Sequence, residues 1–223
     1  GQRKWFENLP IDKNPDYVVY MDDFTGVALD NTNDWTVVKD SSASAAIAAD
    51  VVNGAVTLSS QATTDNDGAS IQGNEIFAVA TTRDIWFETK ITPTDAEGDA
   101  MDICIGLTVN FATNPEAMLT AADRIVFQVD DGDSNIDCVT EKDGTATTTD
   151  SGVDIASGTA VTLGFHVKST GSVEFFVNRA LVATHTTNIP DDENLALGAM
   201  QLSGSATGTK SMNVDYIFAA QTR

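Results

Sequence analysis

The chain has 223 residues, 42% of them hydrophobic and 7% aromatic, and a formal net charge of −21. That length and apolar content support one sizeable core, and no apolar run reaches the roughly 20 residues that a membrane-spanning helix needs. The charge argues against a nucleic-acid partner, because phosphate recognition wants a basic face.

Residues 1–20 read as an extended N-terminal arm. Trp5, Phe6, Leu9, Ile11 and Tyr17 give it apolar surface without a helical or strand period, and Pro10 and Pro15 favour extended backbone. Such an arm either folds back on its own domain or docks on a neighbouring subunit. Its charges, Arg3, Lys4 and Lys13 against Glu7, Asp12 and Asp16, cancel, so the whole −21 lies in 21–223. No charged-then-apolar leader opens the chain, so a product made without a signal peptide is expected.

From Tyr17 onward the pattern is strand after strand. Strands are predicted at Tyr17–Met21, Trp35–Val38, Gly54–Leu58, Glu75–Ala80, Asp84–Thr92 and Met101–Val109. Others follow at Arg124–Asp130, Ile136–Glu141, Ala160–Lys168, Val173–Val177, Leu181–His185, Leu195–Leu202 and Met212–Ala219. In Met101–Val109, residues Met101, Ile103, Ile105, Leu107 and Val109 share one face, and Asp102, Cys104, Gly106 and Thr108 share the other. A short helix is expected over Pro115–Ala122, capped by Asn114 with Pro115 at its first position. Loops rich in Gly, Asp, Asn, Ser and Thr separate these elements. Together they predict an all-β, antiparallel two-sheet jelly-roll sandwich over 21–223. The two cysteines, Cys104 and Cys138, lie in strands and read as buried thiols, with one inter-strand bridge as the alternative.

The stretch Ser172–Pro190, SVEFFVNRALVATHTTNIP, sets two alternating runs around an Asn178–Arg179 turn, a β-hairpin signal. With the closing run Met212–Ile217, its order resembles concanavalin A-like jelly rolls, including laminin-G-like and glucanase-like domains. Within that group the acidic, Asp/Thr/Ala-rich body and the aromatic arm resemble capsid decoration or cement proteins of tailed bacteriophages. The resemblance implies a non-enzymatic structural protein of the virion surface, made in the host cytoplasm and needing no cofactor. It would dock its arm, through Trp5, Phe6, Leu9, Ile11 and Tyr17, on the major capsid protein or on neighbouring copies of itself. A glycan-binding lectin-like module is the alternative, with ligand on the concave sheet or on the Asp131–Asp137 loop. A glycoside hydrolase is third.

Glycosidases of this fold carry Glu-x-Asp-x-x-Glu on a strand, and retaining hydrolysis sets two carboxyls about 5–5.5 Å apart. The nearest match is Glu97-Gly98-Asp99-Ala100-Met101-Asp102, which ends in the shorter Asp and starts in a Gly-containing turn, so it reads as a solvated turn. Asp131, Asp133, Asn135 and Asp137 place oxygen ligands at every second residue, as in half of a calcium loop. Ile136 and Lys142 occupy positions where that loop needs Gly and Glu, so a hairpin loop is favoured over a Ca²⁺ site. Asp65-Asn66-Asp67-Gly68 and Asp191-Asp192-Glu193 fit turn chemistry. His166 and His185 lack partners at metal-ligand spacing. Trp35 and Trp86 suit a core role better than a sugar-stacking one. One of Trp86 and Phe87 must point away from the core unless both faces of the strand are covered.

Overall fold

The computed structural model describes residues 16–40, 42–60, 64–94, 101–111, 113–204 and 209–223. The strands are β1 (Tyr17–Asp22), β2 (Thr36–Lys39), β3 (Ser44–Ile47), β4 (Val56–Ser60), β5 (Gly68–Ala78), β6 (Ile85–Thr94), β7 (Met101–Thr108) and β8 (Arg124–Val129). They continue with β9 (Asn135–Lys142), β10 (Thr145–Asp154), β11 (Val161–Lys168), β12 (Ser172–Val177), β13 (Ala180–His185), β14 (Asn194–Ser203) and β15 (Lys210–Thr222). An eight-stranded sheet runs β13-β12-β11-β6-β15-β4-β3, with β1 also paired to β15, and a seven-stranded sheet runs β10-β9-β8-β7-β14-β5-β2. Every pairing between them is antiparallel. This is the expected jelly-roll sandwich. No helix among the described residues is long and apolar enough to cross a membrane.

The period-2 patterns decide the core. Ile103, Ile105 and Leu107 of β7 and Ile125 and Phe127 of β8 point between the sheets, against Ile85 and Phe87 of β6 and Phe165 of β11. Phe87 stacks on Phe165 at 4.7 Å, and Phe127 meets Phe175 edge-on at 5.3 Å. Gly106 has φ +152, and a Cβ there would lie 2.3 Å from the Ile125 carbonyl oxygen, so only glycine permits this approach of β7 to β8. The Asn178–Arg179 turn has φ of 50° and 66°, the type I′ geometry whose twist suits the β12–β13 hairpin.

Several expectations need correction. The strand expected at Tyr17–Met21 is present as β1, in register with β15 from Tyr17↔Thr222 to Asp22↔Ile217, so Tyr17 and the rest of 17–20 belong to the sheet and not to the arm. Trp5, Phe6, Leu9 and Ile11 lie outside the described residues. The helix over Pro115–Ala122 shrinks to a one-turn 3-10 helix, Pro115–Met118, with the expected Asn114 cap. It stops early because Asp123 and Ala122 already accept from Val109 and Gly144, which draws the chain into β8. Two strands, β3 and β10, are additional, and β5 begins at Gly68 instead of Glu75.

Cys104 faces outward on β7, whereas Cys138 faces the core on β9, and β8 runs between them. Two strand spacings are roughly 9–10 Å, beyond disulfide reach. Both thiols are buried, and burial pushes each up to about 12. Native protein is expected to resist iodoacetamide at pH 8 at both positions and to take two labels after denaturation, read by intact mass. Labelling of Cys104 in native protein would show that its cover opens.

Candidate functional site

Part of the outer face of the seven-stranded sheet is covered by the chain itself. After β7, residues 109–111 and 113–123 lie across the sheet. Phe111 and Met118 pack on Cys104, Val126, Val139, Met200 and Leu202, forming a second small core. A Cβ at Gly198 would lie 2.8 Å from the Phe111 ring, so a larger residue there would push the Phe111 and Met118 side chains aside. Polar groups fix it from below. Phe111 N–H donates to Gln72 Oε1 at 3.2 Å, Asn110 N–H donates to Glu75 Oε1 at 2.9 Å, and Arg124 Nη1 donates to the Met118 carbonyl at 3.2 Å. Arg124 is itself buried, with Nε on Glu141 Oε2 at 2.8 Å and Nη1 on Gln128 Oε1 at 2.8 Å.

Asp102 lies on this face at the start of β7. It is only 4% exposed, so the solvated-turn reading does not hold for this residue. Its Oδ1 accepts from the Asp131 N–H at 2.8 Å, and its buried Oδ2 has no hydrogen-bond partner among the described residues. Burial pushes its carboxyl up to about 6; the Asp131 N–H opposes this, and the charges of Asp131, Asp130 and Asp65 add to it. A carboxyl in that range can hold a proton near neutrality, as a general acid must. Glu97 and Asp99, the rest of the candidate motif, lie outside the described residues.

The remaining candidates resolve into structure. Asp133 accepts from Asn135 N and Nδ2 at 3.1 and 3.2 Å, which closes the Asp131–Asp137 run as a turn, and Asp137 sits within β9. Among the described residues no group of three His, Cys, Asp or Glu side chains could hold a metal ion. Asn66, at φ 62°, donates its N–H to the Ser203 carbonyl, which makes Asp65–Gly68 a turn. Trp35 is buried and donates from Nε1 to Asp22 Oδ2 at 2.8 Å. Phe87 faces the core, and Trp86 faces outward, stacked on His166 at 4.9 Å.

His185 ties the two sheets together. Thr140 Oγ1 donates to the Thr187 carbonyl at 3.1 Å, so it accepts from His185 Nδ1 at 2.9 Å, leaving Nε2 to accept from Thr149 Oγ1 at 3.0 Å. Burial holds His185 below its ordinary pKa.

A cleft of about 760 Å³ opens at one end of the sandwich. The β5–β6 loop, the β9–β10 and β11–β12 turns and the β13–β14 loop wall it. Hydroxyls of Thr81, Thr145, Ser169 and Thr186 line it, with Asn188, Lys142, Asp143, Lys168 and Asp191. Sequence reading missed it, because each residue looks like ordinary turn chemistry and only the fold gathers four distant turns. The Asp191–Glu193 run gave a partial signal, since Lys142 Nζ pairs with both Asp191 and Asp192.

No protein-family model matches this chain, and no curated protein matches it. Solved structures do. A protein of unknown function from Shewanella oneidensis MR-1 superposes with a TM-score of 0.65 at 18% identity, covering 92% of this chain and 87% of that one. Bacillus licheniformis β-glucanase follows at 0.61 and 15%, covering 90% and 97%. The carbohydrate recognition domain of Emp46p matches at 0.58 and 8%, covering 83% and 88%. Further matches are glycoside hydrolases or endo-acting O-glycanases. The expectation of a non-enzymatic protein is therefore corrected, because enzymes predominate among the structures it resembles. The virion reading finds no counterpart among the proteins named here. At these identities the likeness establishes architecture: the chain folds as a concanavalin A-like jelly roll.

Proposed function

We propose that this jelly roll binds a glycan. The observation that carries the reading is the open cleft at the end of the sandwich, lined by polar and apolar groups alike, on a fold whose sheet face is covered by Phe111 and Met118. Its volume falls in the range of small-molecule sites. Hydroxyl, amide, carboxylate and ammonium groups around it can both donate to and accept from sugar hydroxyls. That glucanases and a carbohydrate recognition domain share the fold supports the reading by analogy. The test is retention of the full chain on a glycan array. Selective binding of at least one glycan is expected, and binding to none would contradict it.

A second reading is a capsid decoration protein docking on shell subunits or on its own copies at the virion surface. Val19 and Met21, apolar side chains 43% and 49% exposed on β1, favour it. Cosedimentation with tailed-phage shells, lost on removal of residues 1–15, is its expected result. Undiminished cosedimentation without them would contradict docking through the arm.

A further inference from the structure

We infer that the end cleft takes a neutral, hydroxyl-rich saccharide and discriminates against uronate or sulfated glycans; this rests on the glycan reading above. An anionic sugar needs an uncommitted cation, and the cleft offers none among its described residues. Lys142 is committed to Asp191 and Asp192, and Lys168 to Glu174. Asp143 adds a further carboxylate to the same wall. The chain around them carries −21, so the long-range field also repels polyanions.

What the cleft does offer matches a diol. Asp191, its side chain 60% exposed, keeps acceptor lone pairs for a ligand beyond its bond to Lys142. Ser169 and Thr186 supply hydroxyls that donate and accept. The walls are built in advance. Asn188, at φ 54°, is tied through Nδ2 to Thr147 Oγ1 at 3.0 Å, and Asp143 N–H is tied to Asp123 Oδ1 at 3.1 Å. A preformed wall lowers the ordering cost of binding.

The experiment is titration calorimetry of the full chain with two probes, a neutral mixed-linkage β-glucan tetrasaccharide and a β-1,4-glucuronan tetrasaccharide. Wild type, Asp191→Ala and Thr186→Ala are compared at two salt concentrations. The neutral probe is expected to bind with little salt dependence, and Asp191→Ala to weaken it by about tenfold, as loss of a charge-assisted hydrogen bond does. Thr186→Ala guards against a folding artefact at Asp191 and is expected to weaken it less, in the same direction. Tighter binding of the glucuronan probe would overturn the inference. So would neutral binding unchanged in both variants, and that result leaves the glycan reading standing. Retention of no glycan on the array would overturn the glycan reading itself, and this inference with it.

Discussion

Replacing Arg124 with Ala is expected to lower folding stability by about 3–5 kcal/mol. The guanidinium joins three groups under the cover: the Glu141 carboxylate, the Gln128 side chain and the Met118 carbonyl. Its side chain is 8% exposed and that of Glu141 is 13% exposed, so truncation strands a largely buried carboxylate. The pair itself has a smaller net value, because desolvation cancels much of its attraction. The double variant Arg124→Met with Glu141→Leu is therefore expected to recover most of the loss. Urea unfolding would show a lower midpoint with an unchanged slope for Arg124→Ala. A loss below about 1 kcal/mol, the range of exposed pairs, would mean that Glu141 reaches water readily and that the cover over β7 and β14 is loose.

The second large effect is a pH dependence carried by Asp102. Its carboxyl is raised to about 6 in the folded chain from 3.8, so the native state binds the proton more tightly than the unfolded state. Its contribution therefore favours folding as pH falls from above 6 towards 4, and is lost as pH rises through 6. About two pKa steps at 1.36 kcal/mol each give about 3 kcal/mol across that window. His166 and His185, both held below their ordinary pKa by burial, pull the other way, since protonating them in acid opposes folding. The difference between wild type and Asp102→Asn removes them from the comparison. That variant is expected to gain about 3 kcal/mol relative to wild type between pH 4 and pH 8. A pH-independent difference would mean that water or a cation reaches Asp102 Oδ2.

The fold was legible wherever burial imposes alternation. Met101–Thr108 and Ser172–His185 each present one face to the core, and their sequences say so. The exceptions have physical causes. β10, TATTTDSGVD, is an edge strand whose side chains largely face water, so no apolar period marks it. β3, SAAI, is short and rich in alanine, a weak strand former. The first half of β5 begins at Gly68 and passes Gly73, which read as turn signals, yet Gly68 is required because a Cβ there would lie 2.1 Å from the Gln201 carbonyl oxygen.

The site was less legible than the fold. The burial of Asp102 goes with the β8–β9 turn, whose Asp131 N–H closes on its Oδ1, and nothing in Glu97–Asp102 encodes that partner. Phe111 reads as a loop residue and Met118 as part of a short helix, and neither reading sets them over Gly198. The cleft depends on Lys142, Ser169 and Thr186 meeting at one end of the sandwich, a matter of strand order. Sequence period reports which side of a strand is wet, whereas a site made of hairpin ends depends on topology.

The central claim is that ligand enters the end cleft while the sheet face stays filled by the chain itself. Amide chemical-shift mapping of the ¹⁵N-labelled protein, titrated with a glycan retained on the array, tests it most directly. The account predicts shifts concentrated in Lys142–Thr145, Lys168–Gly171 and Thr186–Asp191, with Cys104, Val126 and Met200 unmoved. Shifts centred on Cys104, Val126 and Met200, with the cleft silent, would contradict it and show that residues 109–123 give way to ligand.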